Sequence, residues 1–212
     1  AQVGGLSYGD LGDAFWKWVI STPAAEQTSG MPLGPTCGPV LLLGSTWFTV
    51  GSTTPVERWV TVERGQPLFL VLVSMIGCLA DACMDGEGKC QAGYGVGDEA
   101  LVDYLRDGIR TCNDVSTAEL YATVDGHPLG NLFQYRAWSP QPFAWWYPAG
   151  SIVTGGDEAG GELPLAVTDG WYLLLAPLSP GEHVVRYGAK CVNPDDPSIW
   201  CTAILLYHIT VK

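Results

Sequence analysis

The chain is poor in charge. Only 15% of its 212 residues are Asp, Glu, Lys or Arg, and 10 cations stand against 22 carboxylates, a formal net charge of −12. So acidic a surface repels a phosphate backbone and an anionic bilayer, which argues against nucleic acid as a partner. Long hydrophobic runs are also missing. The longest apolar stretch, residues 68–76, falls far short of the ~18 residues of a membrane span and suits a buried strand instead. There is no Asn-x-Ser/Thr acceptor for N-glycosylation, no EF-hand spacing and no paired cysteine knuckle of the structural-zinc kind. No Gly-x-Ser-x-Gly nucleophile elbow is expected, so acyl-transfer chemistry starts without a motif.

What is abundant is Gly (27), Pro (15), Trp (9) and Tyr (9). Few charges with many turn formers and aromatics predict short strands joined by turns. The start, Ala1-Gln2-Val3, reads as the remnant of cleavage at a small-residue signal site, so a secreted location is expected, with the leader removed. Seven cysteines fit an oxidising compartment: Cys37, Cys78, Cys83, Cys90, Cys112, Cys191 and Cys201. Cys191 and Cys201 flank a Pro-containing loop between two predicted strands, which suits a disulfide across a hairpin base. Cys78, Cys83, Cys90 and Cys112 would close two bridges inside one insertion, with three pairings open. Zinc is the rival for those four, and their spacing, Cys-x4-Cys-x6-Cys, lacks the knuckle pairs zinc prefers.

Periodicity gives the elements. Leu11, Phe15 and Val19, with Trp18 beside them, form one helical stripe in residues 10–20, with Asp10 or Asp13 as cap and Pro23 beyond the end. Residues 1–9 form a Gly-rich arm and 22–38 a loop. Strands are predicted at 39–43, 46–51, 56–62 and 68–76, the last central because it is apolar throughout. The Cys-rich insertion, 78–112, holds a short amphipathic helix at 98–109 with Leu101, Leu105 and Ile109 on one side. Strands follow at 119–124, closed by Asp125-Gly126, at 132–138, at 163–168, and, after an Asp169-Gly170 turn, at 171–176. Residues 139–161 read as loop, and 183–189 and 201–211 as the last strands. The expected fold is mostly β: a single β-sandwich domain over 1–212, Greek-key or jelly-roll-like, with a short N-terminal helix and a disulfide-rich insertion.

Several of these segments, in this order, resemble an uncharacterised family of predicted secreted β-sandwich proteins with a Trp-rich N-terminal helix. The residues that carry the resemblance begin with Phe15-Trp16-Lys17-Trp18, leading to Pro23-Ala24-Ala25, the apolar strand from Val40 to Gly44, and the Arg-led strand and following turn from Arg58 to Leu70. They continue with Ala122-Thr123-Val124-Asp125-Gly126, Asp169-Gly170-Trp171-Tyr172-Leu173-Leu174-Leu175, Leu178-Ser179-Pro180-Gly181-Glu182-His183 and Tyr207-His208-Ile209-Thr210-Val211. The resemblance spans most of the chain and implies a sandwich fold and export, with no established activity. In that pattern a Cys near position 37 accompanies a Cys on the Arg-led strand. Here the strand reads Arg58-Trp59-Val60-Thr61-Val62, so the resemblance implies that Cys37 is an unpaired thiol.

Three kinds of site remain. Trp138, Trp145, Trp146 and Tyr147, in or beside a Pro-rich loop with Phe143, supply rings that stack on sugars or cover the sheet. Trp145 and Trp146 are adjacent and point opposite ways in an extended segment. Asp81, Asp85 and Glu87 in one acidic loop, and Asp157, Glu158 and Glu162 in another, are weak Ca2+ candidates, with solvated loops as the plainer reading. His127, His183 and His208 have no spacing that argues for a metal. The expected function is a non-catalytic extracellular structural protein that assembles with copies of itself as a surface or filament subunit. The alternatives are a secreted glycan-binding module and a secreted hydrolase or metal-dependent enzyme.

Overall fold

The computed structural model describes residues 5–23, 27–28, 31–32, 47–48, 56–79, 98–110, 119–151, 159–192 and 200–212; within these, 27–28, 31–32, 47–48, 56, 78–79, 191–192 and 200–204 are described by backbone alone. The helices are α1 (Tyr8–Ile20) and α2 (Glu99–Arg110). The strands, in chain order, are β1 (Gln27–Thr28), β2 (Met31–Pro32), β3 (Trp47–Phe48), β4 (Val56–Val62), β5 (Leu68–Leu79), β6 (Glu119–Val124), β7 (His127–Pro128), β8 (Arg136–Trp138), β9 (Phe143–Tyr147), β10 (Gly161–Leu175), β11 (Gly181–Val192) and β12 (Trp200–Val211). β1 and β2 form a small separate hairpin.

Ten strands make two five-stranded sheets. The central sheet runs β3-β5-β10-β8, with β9 pairing farther along β10; the outer sheet runs β4-β12-β11-β6-β7. Most pairs are antiparallel, but the edge strands β3 and β4 lie parallel to their neighbours. The sheets pack face to face. Leu68, Leu70, Leu72, Val73, Trp171 and Leu173 of the central sheet meet Val62, Ala122, Val185, Tyr187, Ala189, Leu205, Tyr207, Ile209 and Val211 of the outer one. The fold is thus mostly β and sandwich-like, as expected.

The central sheet is covered on its other face too. Phe69, Val71 and Tyr172 point away from the outer sheet into Leu11, Phe15, Trp16, Val19 and Ile20 of α1. Helix α2 lies beside the outer sheet, setting Leu101, Leu105 and Ile109 on Leu165, Val167 and Met75. Met75 shares a face with Val73 by the two-residue period of a strand. Double coverage explains why the sequence of β5 is apolar without alternation. Each fully buried Leu or Phe there contributes about 1.5–3 kcal/mol of hydrophobic transfer.

Four expectations are corrected. The cap of α1 is Ser7: Asp10 N–H donates to Ser7 Oγ (3.2 Å) and Ser7 N–H donates to Asp10 Oδ2 (2.8 Å), a reciprocal capping box that starts the helix before Asp10. Residues 132–138 are a 3-10 turn (Leu132–Tyr135) followed by the short β8, not one strand. The supposed loop 139–161 contains β9. Asp169-Gly170 is not a turn; β10 runs straight through it, because β5 pairs on one side and β8 on the other. Gly170 is required there for closeness, since a Cβ would lie 2.6 Å from the Val73 carbonyl oxygen. By contrast Asp125-Gly126 is a tight turn, with both residues at positive φ (52° and 79°). The strand expected at 39–43 lies outside the described residues.

Candidate functional site

A cleft lies where α2 meets the β8 edge of the central sheet. It encloses about 500 Å³ and is lined by Asp103, Arg106, Asp107, Ile109 and Arg110 of α2, with Arg136, Trp138 and Asp169. Register places the last three together: Trp138 pairs with Asp169, and Arg136 with Trp171. Arg136 is fixed twice. Its Nε donates to Asp169 Oδ1 at 3.0 Å while Nη2 donates to Oδ2, and its guanidinium lies 5.0 Å from the centre of the buried Trp171 ring. Trp138 stands beside this pair with 60% of its surface exposed. On the helix side Arg110 reaches Asp107 at 3.8 Å, while Arg106 Nε is buried with no hydrogen-bond partner among the described residues. Of this set, sequence reasoning had found only Trp138. Arg136 and Asp169 were hidden because the Asp-Gly pair was read as a turn.

A second cluster is wholly internal. Asp13 of α1 is buried, and its Oδ1 accepts from Ser139 Oγ and Thr168 Oγ1, both at 2.7 Å. Ser139 Oγ in turn accepts the Thr168 N–H at 2.6 Å. Next to it, Trp16 Nε1 donates to Ser74 Oγ (2.8 Å), which also meets the Tyr172 hydroxyl (2.6 Å). Burial pushes the Asp13 carboxyl above its ordinary range, against the pull of the two hydroxyl donors and of Lys17; burial likewise raises Tyr172. Gly12 lets the helix come this close, because a Cβ there would lie 2.6 Å from the Tyr172 oxygen. With Ser139 fully enclosed, the network pins α1 to the sheet and offers no reagent to solvent.

Two arrangements imitate hydrolase chemistry. Against the expectation that no Gly-x-Ser-x-Gly motif is present, Gly5-Leu6-Ser7-Tyr8-Gly9 carries that spacing. Ser7 Oγ is spent on the capping box, donating to Asp10 Oδ2 at 2.7 Å. The other is Asp125, His183 and Ser179. His183 Nδ1 sits 2.8 Å from Asp125 Oδ2, and Nε2 is 3.3 Å from Ser179 Oγ. Yet Nε2 lies closer, 2.9 Å, to the Ser179 carbonyl oxygen. Both ring nitrogens therefore face acceptors, an arrangement that favours the doubly protonated ring and removes the free lone pair a general base needs. The Asp125 hydrogen bond raises His183 above its ordinary value; the Val184 N–H and His183 hold Asp125 below its own. This is a clip between two turns.

The remaining candidates separate. Trp146 is 66% exposed, on the opposite side of β9 from its neighbour. Trp145 is docked: Nε1 donates to Ser21 Oγ (2.8 Å), and Lys17 Nζ lies 5.2 Å from its ring and 4.6 Å from that of Phe143. Tyr147 is only 5% exposed and packs with α1, so it is withdrawn as a binding platform. His208 lies on the open face of the outer sheet, stacked on Trp59 (4.9 Å between centroids, 8° between planes) and bonded to Glu57 (2.7 Å). Trp138 and Trp146 lie at different places along β10, opposite Asp169 and Glu162. Among the described residues no group of three or more His, Cys, Asp or Glu is placed to hold a metal ion. Asp81, Asp85, Glu87, Asp157 and Glu158, with Cys37, Cys83, Cys90 and Cys112, lie outside the described residues. Cys78 lies on β5 opposite Ala166, and Cys191 faces Cys201 across β11 and β12. No helix among the described residues is long and apolar enough to cross a membrane.

Comparison with known proteins assigns no family. No family model matches the chain, and no curated protein matches it. Among solved structures the chain is similar to one in the structure of PbICP-C in complex with falcipain-2, at 11% identity and a TM-score of 0.24, over 80% of this chain and 100% of that one. A score so low supports no conclusion about fold or function.

Proposed function

We propose that the chain is a non-catalytic extracellular structural subunit that assembles with copies of itself, as a surface layer or filament, by accepting a strand of a second copy along β4. The observation that carries this reading is the contrast between β4 and the other sheet margins. β8 has three residues; β7 has two and ends in Pro128; β9 pairs with β10 through a register shift. Short strands, proline and irregular pairing are how proteins blunt an edge. β4 has seven residues in continuous register with β12 and no Gly or Pro. Among the described residues it has a ladder partner on that side alone. Its inward Arg58 is held within the same sheet: Nη1 donates to the Tyr207 hydroxyl at 2.7 Å, and the guanidinium lies 5.7 Å from that ring's centre. Its open face carries Trp59, 69% exposed. A long, regular edge beside an exposed aromatic is a template for strand addition.

The extracellular half of the proposal draws on the cysteines. Facing residues of an antiparallel pair have Cα atoms roughly 4.5–5.5 Å apart, inside the range a disulfide spans, and Cys191 and Cys201 face one another. Mass spectrometry of unreduced, alkylated protein should find the two joined. For assembly, native material imaged by electron microscopy should show polymers. A Trp59→Lys, Thr61→Lys double variant should dissolve them while the monomer keeps its melting temperature. Monomers alone in native material, or polymers indifferent to the two lysines, would end the proposal.

A further inference from the structure

We infer that the cleft between α2 and the β8 edge is a binding site for a neutral pyranose, the sugar ring stacking on Trp138 while its hydroxyls bridge the surrounding guanidinium and carboxylate groups. The inference is independent of assembly at β4, which lies on the other sheet.

The chemistry follows from what the lining residues have left to give. An indole exposed on one side of a concave site is a stacking surface for the C–H face of a sugar, and its apolar area is lost to water unless something covers it. The floor is already rigid. Arg136 is held by two hydrogen bonds to Asp169 and by the face of Trp171, so it cannot swing away when a ligand arrives, and binding costs little ordering there. Arg106 is different. Its side chain lines the cleft, and its Nε is buried without an acceptor among the described residues. A guanidinium on the wall brings several N–H donors, which suit the oxygens of a ligand. Asp103, on the same wall, supplies carboxylate oxygens that accept from hydroxyls. A vicinal diol presents a donor and an acceptor together, which suits a guanidinium and a carboxylate side by side.

Charge decides between neutral and anionic sugars. Among the described residues the cleft is lined by three Arg and three Asp, whose formal charges balance, and it sits on a protein of net charge −12. An anionic ligand meets no local surplus of positive charge and crosses a repulsive field to arrive. A neutral sugar meets neither penalty. Its volume also fits: about 500 Å³ lies within the roughly 300–1,000 Å³ of small-molecule sites.

The test is titration of the full chain with gluco-, manno-, galacto- and polygalacturono-oligosaccharides, followed by tryptophan fluorescence and calorimetry. At least one neutral series should bind. Trp138→Ala should weaken it by about tenfold or more, the scale of ~1.4 kcal/mol, and Arg106→Ala should weaken it while Arg106→Gln, which keeps an N–H donor, restores part of the loss. Trp146→Ala, on another part of the sheet, should bind as wild type. Unchanged circular dichroism and melting temperature in each variant show that folding is not the cause. The inference is overturned if all four series fail to bind, if only the polygalacturonate binds, or if binding survives Trp138→Ala.

Discussion

The central and outer sheets are made from strands of similar length, yet they use their residues in opposite ways. The long strands β5 and β10 of the central sheet are enclosed, with α1 on one face and the outer sheet plus α2 on the other. The sheet's polar atoms near α1 are spent inward, on Asp13, Ser139, Thr168, Ser74 and Tyr172. Among the described residues the outer sheet has one face without a covering element and one long edge, β4, without a second ladder partner. There Trp59 lies on His208, His208 on Glu57, and Thr210 donates to Glu182 at 3.0 Å. Enclosure makes the first sheet the source of stability, and openness makes the second available to partners.

The largest effects should therefore come from the central sheet. Phe69→Ala empties a site closed on all sides and should cost about 3–5 kcal/mol in denaturant unfolding; loss below ~1 kcal/mol would mean the sheet is less enclosed than described. Asp13→Ala comes next. It strands the Ser139 and Thr168 hydroxyls and should cost about 1–3 kcal/mol. Asp13→Asn keeps an acceptor and should cost far less at neutral pH, because burial penalises the charge. The sign follows from the raised carboxyl: the folded chain holds that proton more tightly than the unfolded one. Stability should thus fall as pH rises from the ordinary value of 3.8 through the folded value, then level off. The asparagine variant should lack that slope.

Smaller effects belong to the open sheet. His183→Ala removes the clip and should cost under ~1 kcal/mol, as exposed pairs do. With His183 raised, its contribution is full below the ordinary 6.5 and fades as pH rises through the folded value. With Asp125 lowered, its share is present above 3.8 and fades as pH falls through the folded value. The clip should show a plateau between those limits in wild type that is absent in the variant. Trp59→Ala should be the mildest for the monomer, within about 0.5 kcal/mol. A large destabilisation there would break the contrast between the sheets.

Much of the enclosed sheet could be read from sequence, and the reason is periodicity. Residues 68–76 lack alternation because both faces of β5 are covered. Leu205, Tyr207, Ile209 and Val211 alternate because one face of β12 is open, which also set His208 outward. Where register and partner choice decide, the sequence was silent. Asp169-Gly170 has the composition of a turn and became strand because β5 and β8 flank it. Tyr147 resembles its exposed neighbours and is buried because α1 lies over it. Arg136 and Arg106 join Trp138 only through the pairing of β8 with β10 and the seat of α2. Two motifs recognised separately, ending at Gly126 and at His183, prove to be one clip, since the Asp125 carboxylate binds both the His183 ring and the Val184 N–H.

Hydrogen exchange on assembled and dissociated material tests the central claim about β4 most directly. The account predicts that alternate amides of residues 56–62, the ones pointing away from β12, exchange freely in the monomer and become protected on assembly. Amides of β5 should be protected equally in both. Equal, fast exchange of those β4 amides in the assembled state would contradict it.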